Sequence, residues 1–189
     1  MCEPVEAPTG STVVMLEVRP AVPHEYAAVG ELTVAGYRSD GFLDGPSGTE
    51  DGYSDELRNA AHRAEHAVLV VAVDSTEVLG TVTWCPIGSP YRELAARPDQ
   101  GEFRMLAVSP AARRRGVGRA LMQWCLRRAR EEELREIVLC SLPQMTSAHA
   151  MYAALGFVRA PELDWSPAEG VVLWGFRLLL EPVAKTVSR

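Results

Sequence analysis

The sequence has no apolar run that approaches the roughly 20 residues a bilayer span requires. Its longest, Ala67 to Val73, has the length of a buried strand. It has no C-x-x-C pair: Cys2, Cys85, Cys125 and Cys140 are scattered. That spacing offers no zinc site and reads as reduced thiols. It has no basic surplus either, since 25 acidic against 19 basic side chains leave a formal net charge of −6. A dedicated nucleic-acid binder normally shows the opposite balance, whereas an acidic pocket for a small cation stays open. The start, Met1-Cys2-Glu3-Pro4, carries neither a basic n-region nor an apolar h-region. The expectation is therefore no signal peptide, no lipid on Cys2 and a cytoplasmic chain. There is no internal repeat.

What is present is an ordinary globular composition, 47% hydrophobic and 23% charged over 189 residues. That is one domain with room for a full core. Residues 1–11, with Pro4, Pro8, Gly10 and Ser11, read as a tail, 12–181 as a single domain and 182–189 as a second tail. A strand over Val13 to Arg19 precedes a helix from His24 to about Gly36. A Gly/Asp/Ser-rich loop fills 37–53, and Ser54 and Asp55 are placed to cap a helix reaching His66. Strands over 67–73 and 77–85 form a hairpin across Asp74-Ser75-Thr76. A proline- and glycine-rich loop leads to a strand over 102–108. A helix from about Arg115 shows an apolar face at Val117, Ala120, Leu121, Trp124 and Cys125. A strand at 136–142, a helix from Thr146 to Leu155 ended by Gly156, and a strand at 171–180 complete the reading. This order suggests a mixed sheet with helices on its faces.

The informative stretch is MLAVSPAARRRGVGRALM, residues 105–122. A strand ends, Pro110 forces a turn, and a glycine-spaced segment opens a helix. The first amides of a helix lack internal partners and its dipole places partial positive charge there. Gly116 and Gly118 let an anion approach the backbone, and Arg113, Arg114, Arg115 and Arg119 surround the same turn. A pyrophosphate is the natural guest. The two familiar phosphate patterns, G-x-x-x-x-G-K-[ST] and G-x-G-x-x-G, are absent. A basic helix start on a solvated surface is the competing account of the same residues.

Arg113-x-x-Gly116-x-Gly118 between a strand and an amphipathic helix, followed by Tyr152, Gly156 and Phe157 in MYAALGF, resembles the GNAT superfamily of N-acetyltransferases. The family signature is [RQ]-x-x-G-x-[GA], with a later Tyr-x-x-x-Gly-Phe. The resemblance covers roughly residues 13–181 and is strongest over 102–157. It implies an α/β fold whose mixed, mostly antiparallel central sheet has about six to seven strands, with the fourth splayed from the fifth and helices on both faces. It implies acetyl-coenzyme A as acyl donor, lying in the V-shaped gap. Leu106, Ala107 and Val108 would meet the pantetheine arm, and Arg113, Arg114, Arg115, Gly116, Val117, Gly118 and Arg119 would wrap the pyrophosphate. A backbone N–H near Val108 would donate to the oxyanion.

The resemblance also places Tyr152 as the acid that protonates the departing thiolate, against the alternative of an amphipathic core tyrosine. Glu102 opens the fourth strand where some members carry a base. With side chains alternating along a strand, Glu102 and Leu106 are expected on one face; a salt-bridged Glu102 is the alternative. Other members use a glutamate on the fifth strand, five residues before a cofactor-binding asparagine. Here those positions hold Cys140 and Met145, which speaks against that second mechanism. His62 and His66 lie four apart without a third ligand nearby, and a surface or packing role is preferred to a metal. His149 is read as packing near the cofactor arm and Cys140 as a small buried hydrophobe. Asp40, Asp44, Glu50, Asp51, Asp55 and Glu56 against Arg38 form an acidic rim that would attract a protonated amine, or a solvated loop.

The expected activity is N-acetylation of a primary amine on a small molecule or peptide, by direct attack with both substrates bound, without a metal, nucleic acid or membrane. The rival is an inactive acyl-CoA-binding sensor of the same fold. Acceptor, acyl length and assembly as a homodimer stay open.

Overall fold

The structure, a computed structural model, describes residues 16–43, 52–75 and 77–181. The expected tails 1–11 and 182–189, together with Asp44, Glu50 and Asp51 of the acidic loop, lie outside the described residues.

Chain order runs β1 (Leu16–Pro20), α1 (Tyr26–Arg38), α2 (Tyr53–Arg58), α3 (Ala60–His66), β2 (Val68–Asp74), β3 (Glu77–Cys85) and β4 (Gln100–Val108). It continues through α4 (Val117–Glu131), β5 (Glu136–Ser141), α5 (Thr146–Ala154), β6 (Val158–Arg159), β7 (Trp165–Ala168) and β8 (Val171–Leu179). The strands lie in the order β1-β2-β3-β4-β5-β8-β6, with β7 on β8. Every pair is antiparallel except β4–β5. The mostly antiparallel mixed sheet is thus as the sequence reading has it. It reaches eight strands because β6 and β7 add to it. Those two are short, and β7 carries Pro167, so neither shows an alternating pattern long enough to read.

The two faces are covered by different helices. Buried Val70, Ala72, Val82, Trp84, Phe103, Ile137 and Leu139 meet Leu121, Cys125 and Ala129 of α4 and Tyr152 of α5 on one face. On the other, Val29 and Ala60 pack on Leu69, Val71 and Val73, and Val34 and Leu57 on Cys85 and Met105. Arg63 of α3 is fully buried there. It donates to the Leu57 carbonyl at 2.8 Å and to the hydroxyls of Thr33 at 3.3 Å and Thr83 at 3.2 Å, which ties α1, α2 and the sheet together. Burial without a carboxylate partner lowers its pKa.

The single helix expected from Ser54 to His66 is two. Asn59 takes φ −77°, ψ 64°, which ends α2, and its side chain accepts from the His62 amide at 3.2 Å, which caps α3. The expected caps Ser54 and Asp55 lie inside α2.

Two features of β4 position everything that follows. First, β4 and β5 pair only at Gln100–Glu102 with Glu136–Val138; beyond these residues the strands part, as the resemblance implied. Second, between Thr81 and Thr83 of β3 the partners on β4 jump from Ala107 to Arg104, so one β3 residue faces two on β4. Met105 takes φ 53° at this bulge. The bulge inverts the alternation. Phe103, Leu106 and Val108 pack toward α4 and α5, whereas Met105 packs with Tyr91 and Val34 beneath α1. Glu102 and Leu106 therefore lie on opposite faces, and the expectation that they share one is corrected.

Gly30 lets α1 cross α2 closely. A Cβ there would lie 2.1 Å from the Arg58 carbonyl oxygen, backbone that cannot rotate away. Gly30→Ala is expected to cost about 2–3 kcal/mol of stability, an about 4–12 °C fall in Tm for a chain of this size, read by thermal denaturation; an unchanged Tm refutes the close crossing.

Candidate active site

The gap between β4 and β5 opens into a cavity of about 620 Å³. One wall is Leu106, Ala107 and Val108 of β4. The rim is Arg113, Arg114, Gly116, Val117, Gly118 and Arg119, and the far wall is the start of α5 with Gln144, Met145, Thr146 and Met151. Gly36, Tyr37, Asp40 and Phe42, from α1 and the turn after it, close the remaining side. All the expected cofactor-binding residues except Arg115 thus meet around one space.

The turn earns its anion-binding character from the backbone. Pro110 starts a 3-10 turn, Arg114 takes φ 59° and Gly116 φ 81°. The first α-helical bond of α4 runs from the Ala120 amide to the Gly116 carbonyl at 2.9 Å. The amides of Val117, Gly118 and Arg119 are therefore the orphan donors of the helix start, pointing at the cavity rim. A Cβ on Gly116 would touch nothing within 4 Å, so the glycine serves the left-handed backbone and not a tight fit.

The four arginines divide by partner. Arg113 is held in a two-pronged pair with Asp40, at 2.7 and 2.9 Å, and donates to the Ser39 hydroxyl at 2.7 Å and the Gly36 carbonyl at 3.2 Å. It fastens the end of α1 to the turn. Arg115 points away toward Asp74 at 3.4 Å. Arg114 and Arg119 line the cavity without a side-chain partner among the described residues. Two carboxylates of the acidic rim are likewise engaged, Asp40 by Arg113 and Asp55 by Arg58 at 3.0 Å.

Tyr152 is 5% exposed, with Phe103, Phe157 and Phe176 around its ring at centroid distances of 6.2, 5.8 and 5.9 Å. It does not line the cavity as the cavity stands. Its hydroxyl has no hydrogen-bond partner among the described residues. Burial pushes the phenol well above its ordinary pKa, helped by Tyr37 and Cys140 nearby, so it carries its proton at neutral pH.

Glu102 does not line the cavity. It is 1% exposed and faces away from Leu106. Its carboxylate accepts the amides of Glu93 at 3.2 Å, Leu94 at 2.8 Å and Ala95 at 2.9 Å. Burial raises its pKa and these three donors oppose the rise. A carboxylate so engaged holds a loop.

His149 donates or accepts at Ser141 Oγ, 3.2 Å away, and stacks on Trp174 and Phe176. Burial lowers its pKa. Cys140 is partly buried and receives the Trp165 indole N–H at 3.5 Å; Cys85 and Cys125 are buried free thiols. His62 meets the Tyr91 hydroxyl at 2.7 Å and meets His66 edge-on. No helix among the described residues is long and apolar enough to cross a membrane.

Sequence reasoning placed Met145 where the family binds cofactor and His149 near the cofactor arm, but missed Gln144, Thr146, Ser147, Ala148 and Met151 of the far wall, and Tyr37 and Phe42 on the near side. Pro143 at the end of β5, directly before a helix start, is the signal that marks the far wall. Nothing local marks Tyr37 or Phe42.

A mixed sheet whose one parallel pair splays around an anion-binding helix start defines a class of acyl-group transfer domain. The comparisons agree. Residues 35–157 match the model of the Acetyltransferase (GNAT) family. The chain is 29% identical over 96 residues to N-acetyltransferase family 8 member 3 of Rattus norvegicus, covering 51% of this chain and 40% of that protein. It thus spans well under half the length of that relative. Among solved structures it is similar to a GNAT-family acetyltransferase of Staphylococcus aureus Mu50 (TM-score 0.66, 12% identity, 88% of this chain and 99% of the other). It is also similar to yncA, a putative acetyltransferase of Salmonella typhimurium with its cofactor acetyl-CoA (TM-score 0.63, 18% identity, 89% and 96%). The chain belongs to the GNAT acetyltransferase family.

If Glu102 anchors the loop, Glu102→Ala frees three amides at once. Hydrogen exchange at Glu93, Leu94 and Ala95 is expected to accelerate about tenfold or more, since a hydrogen bond to a charged group contributes about 1.5–3 kcal/mol. Unchanged protection at all three would remove the anchoring role.

Proposed function

We propose that this chain is an acetyl-CoA-dependent N-acetyltransferase acting on a primary amine of a small molecule or peptide, with both substrates bound together. The observation that carries this reading is the single cavity joining the orphan amides of α4 to the unpaired edge of β4. The donor supplies a thioester carbon, and its pyrophosphate fits the amides of Val117, Gly118 and Arg119, flanked by the unpaired Arg114 and Arg119. Past Glu102 the β4 backbone has no partner on the β5 side, so Leu106 to Val108 have groups free for an amide-bearing arm. An N–H near Val108 is positioned to stabilise negative charge on the acyl oxygen. The protonated, unpartnered Tyr152 hydroxyl supplies the proton that the leaving thiolate takes up. With Glu102 occupied, the acceptor amine loses its proton to water, and the rate rises with pH as the free amine accumulates.

The sensor reading draws on one observation. Among the described residues lining the cavity, the only ionisable carboxylate is Asp40, already paired with Arg113. A thiol-release assay across an amine panel separates the two: turnover supports the enzyme, whereas tight acetyl-CoA binding with no turnover of any amine supports the sensor.

Four further outcomes are expected. Calorimetry should show acetyl-CoA bound more weakly by Arg114→Gln and Arg119→Gln than by Arg115→Gln, because only the first two guanidiniums face the cavity unpaired. Gly118→Asp should weaken it most, since a Cβ there is in ordinary contact with Met151 and Val108 while its carboxylate enters the phosphate site. Equal effects from all three arginines contradict this placement. Tyr152→Phe should lower kcat by about 10²-fold or more while acetyl-CoA affinity stays nearly constant, because the hydroxyl matters as charge grows on sulfur. Glu102→Gln should keep the wild-type shape of the pH–rate profile; selective loss at low pH would restore Glu102 as a base.

A further inference from the structure

One group of charged and polar side chains stands at the mouth of the splay and is used by none of the steps above. Arg104 is two residues past the last β4 residue paired with β5, and Cys140 is two past its β5 counterpart, so the two flank the opening. The β4 bulge keeps Arg104 on the α1 side of the sheet, apart from Leu106 and Val108. Arg104 is only 13% exposed, and its Nη1 lies 2.6 Å from Oε1 of Glu93, which is 33% exposed. Tyr53 and Cys140 lie near the guanidinium. Tyr37, which lines the cofactor cavity, meets Tyr53 edge-on at 6.2 Å, so this group and the cavity share a wall.

Stability does not account for the pair. Taking the Arg104 charge largely out of water offsets much of what its attraction to the more exposed Glu93 returns. A guanidinium has five donors, and Glu93 is its one partner among the described residues. The Arg104 side chain keeps 13% of its surface exposed, and the pair with Glu93 uses only part of its fork. The Glu93 backbone amide is one of the three that the buried Glu102 carboxylate accepts, at 3.2 Å. A cationic fork with spare donors beside a carboxylate, both fixed by the fold, complements a ligand that carries an anion and a cation a few bonds apart.

We infer that the acceptor is an amine that also bears a carboxylate, an amino acid in its simplest form, with Arg104 taking the carboxylate, Glu93 the ammonium, and Glu102 acting as a positioning residue for Glu93. This rests on the transferase reading for its chemistry, but the recognition can be measured without it.

Thiol release is measured with matched acceptors: phenylalanine with phenethylamine, leucine with isoamylamine, arginine with agmatine. The wild type is expected to favour the carboxylated member by about 10- to 100-fold in kcat/KM, the size of a hydrogen-bonded charge contact. Arg104→Met should bring this ratio close to one, chiefly by loss on the carboxylated acceptor, and Arg104→Lys should retain part of it. Glu93→Gln should lower kcat/KM for both members of a pair. A wild-type ratio at or below one, or a ratio that Arg104→Met leaves unchanged, overturns the proposal and makes the pair a fastening for the 93–95 loop. If no acceptor turns over, the same pairs are titrated calorimetrically into the protein saturated with coenzyme A. Preferential binding of the carboxylated members, lost in Arg104→Met, sustains the recognition site while the transferase reading falls. Equal binding, or none, overturns the recognition site.

Discussion

The architecture depends on one backbone constraint, the extra residue that β4 carries at Met105. A non-glycine residue held at positive φ costs about 1 kcal/mol or more, and it persists here because β3 on one side and the α1 core on the other fix both flanks. The bulge bends β4 just where its pairing with β5 stops. The result is a strand with one satisfied edge and one open edge, lined up with the orphan amides of α4. It also decides which side chains see which face. Without it, Arg104 would share a face with Leu106 and Val108, and Glu102 with them. With it, the donor wall and the charged mouth lie on opposite sides of the same strand.

Charge in this acidic protein is sorted by pairing as much as by number. Arginine is the cation at every position around the cavity, and its fork suits both carboxylates and phosphates. The difference between Arg113 and Arg114 is that one has Asp40 within reach and the other does not. Arg113 thereby becomes a link between the end of α1 and the anion-binding turn, so the near side of the cavity and its rim form one piece. Glu102 and Glu136 show the same logic on the carboxylate side. Both are almost fully buried, and each is occupied by donors that fasten the segment before β4 to the sheet: the amides of 93–95 for Glu102, and Arg97 and Gln100 for Glu136.

The order and extent of most elements follow from the residues themselves. Prolines at 20, 23, 86, 90 and 110 and glycines at 116 and 156 punctuate apolar segments whose period is set locally. The strand–Pro–Arg-x-x-Gly-x-Gly–helix stretch likewise determines an anion-binding turn, because orphan amides and glycine backbone freedom are properties of the chain within a few residues. The backbone of that turn was legible, as was the helix end before Gly156. The break at Asn59 and the strands β6 and β7 were harder: the first needs a side-chain cap in place of a helical bond, and the others are too short to carry a period.

Which chemistry each site residue can perform was decided only by the tertiary structure. Glu102 read as a base because a carboxylate four residues before a donor-binding position sits on the same face of a regular strand; one inserted residue, visible only in the pairing with β3, moves it to the other face. Arg113 and Arg115 read alike because sequence shows only proximity along the chain; in the fold Arg113 lines the cavity while paired with Asp40, and Arg115 turns to Asp74, carboxylates 73 and 41 residues away. Tyr37, Glu93 and Arg104 carry no local pattern at all, and they meet only because a loop, a helix and a strand converge where β4 and β5 part. Local sequence determines turns, periods and orphan backbone groups; pairing between distant charges and the register of a bulged strand arise only when the chain closes on itself.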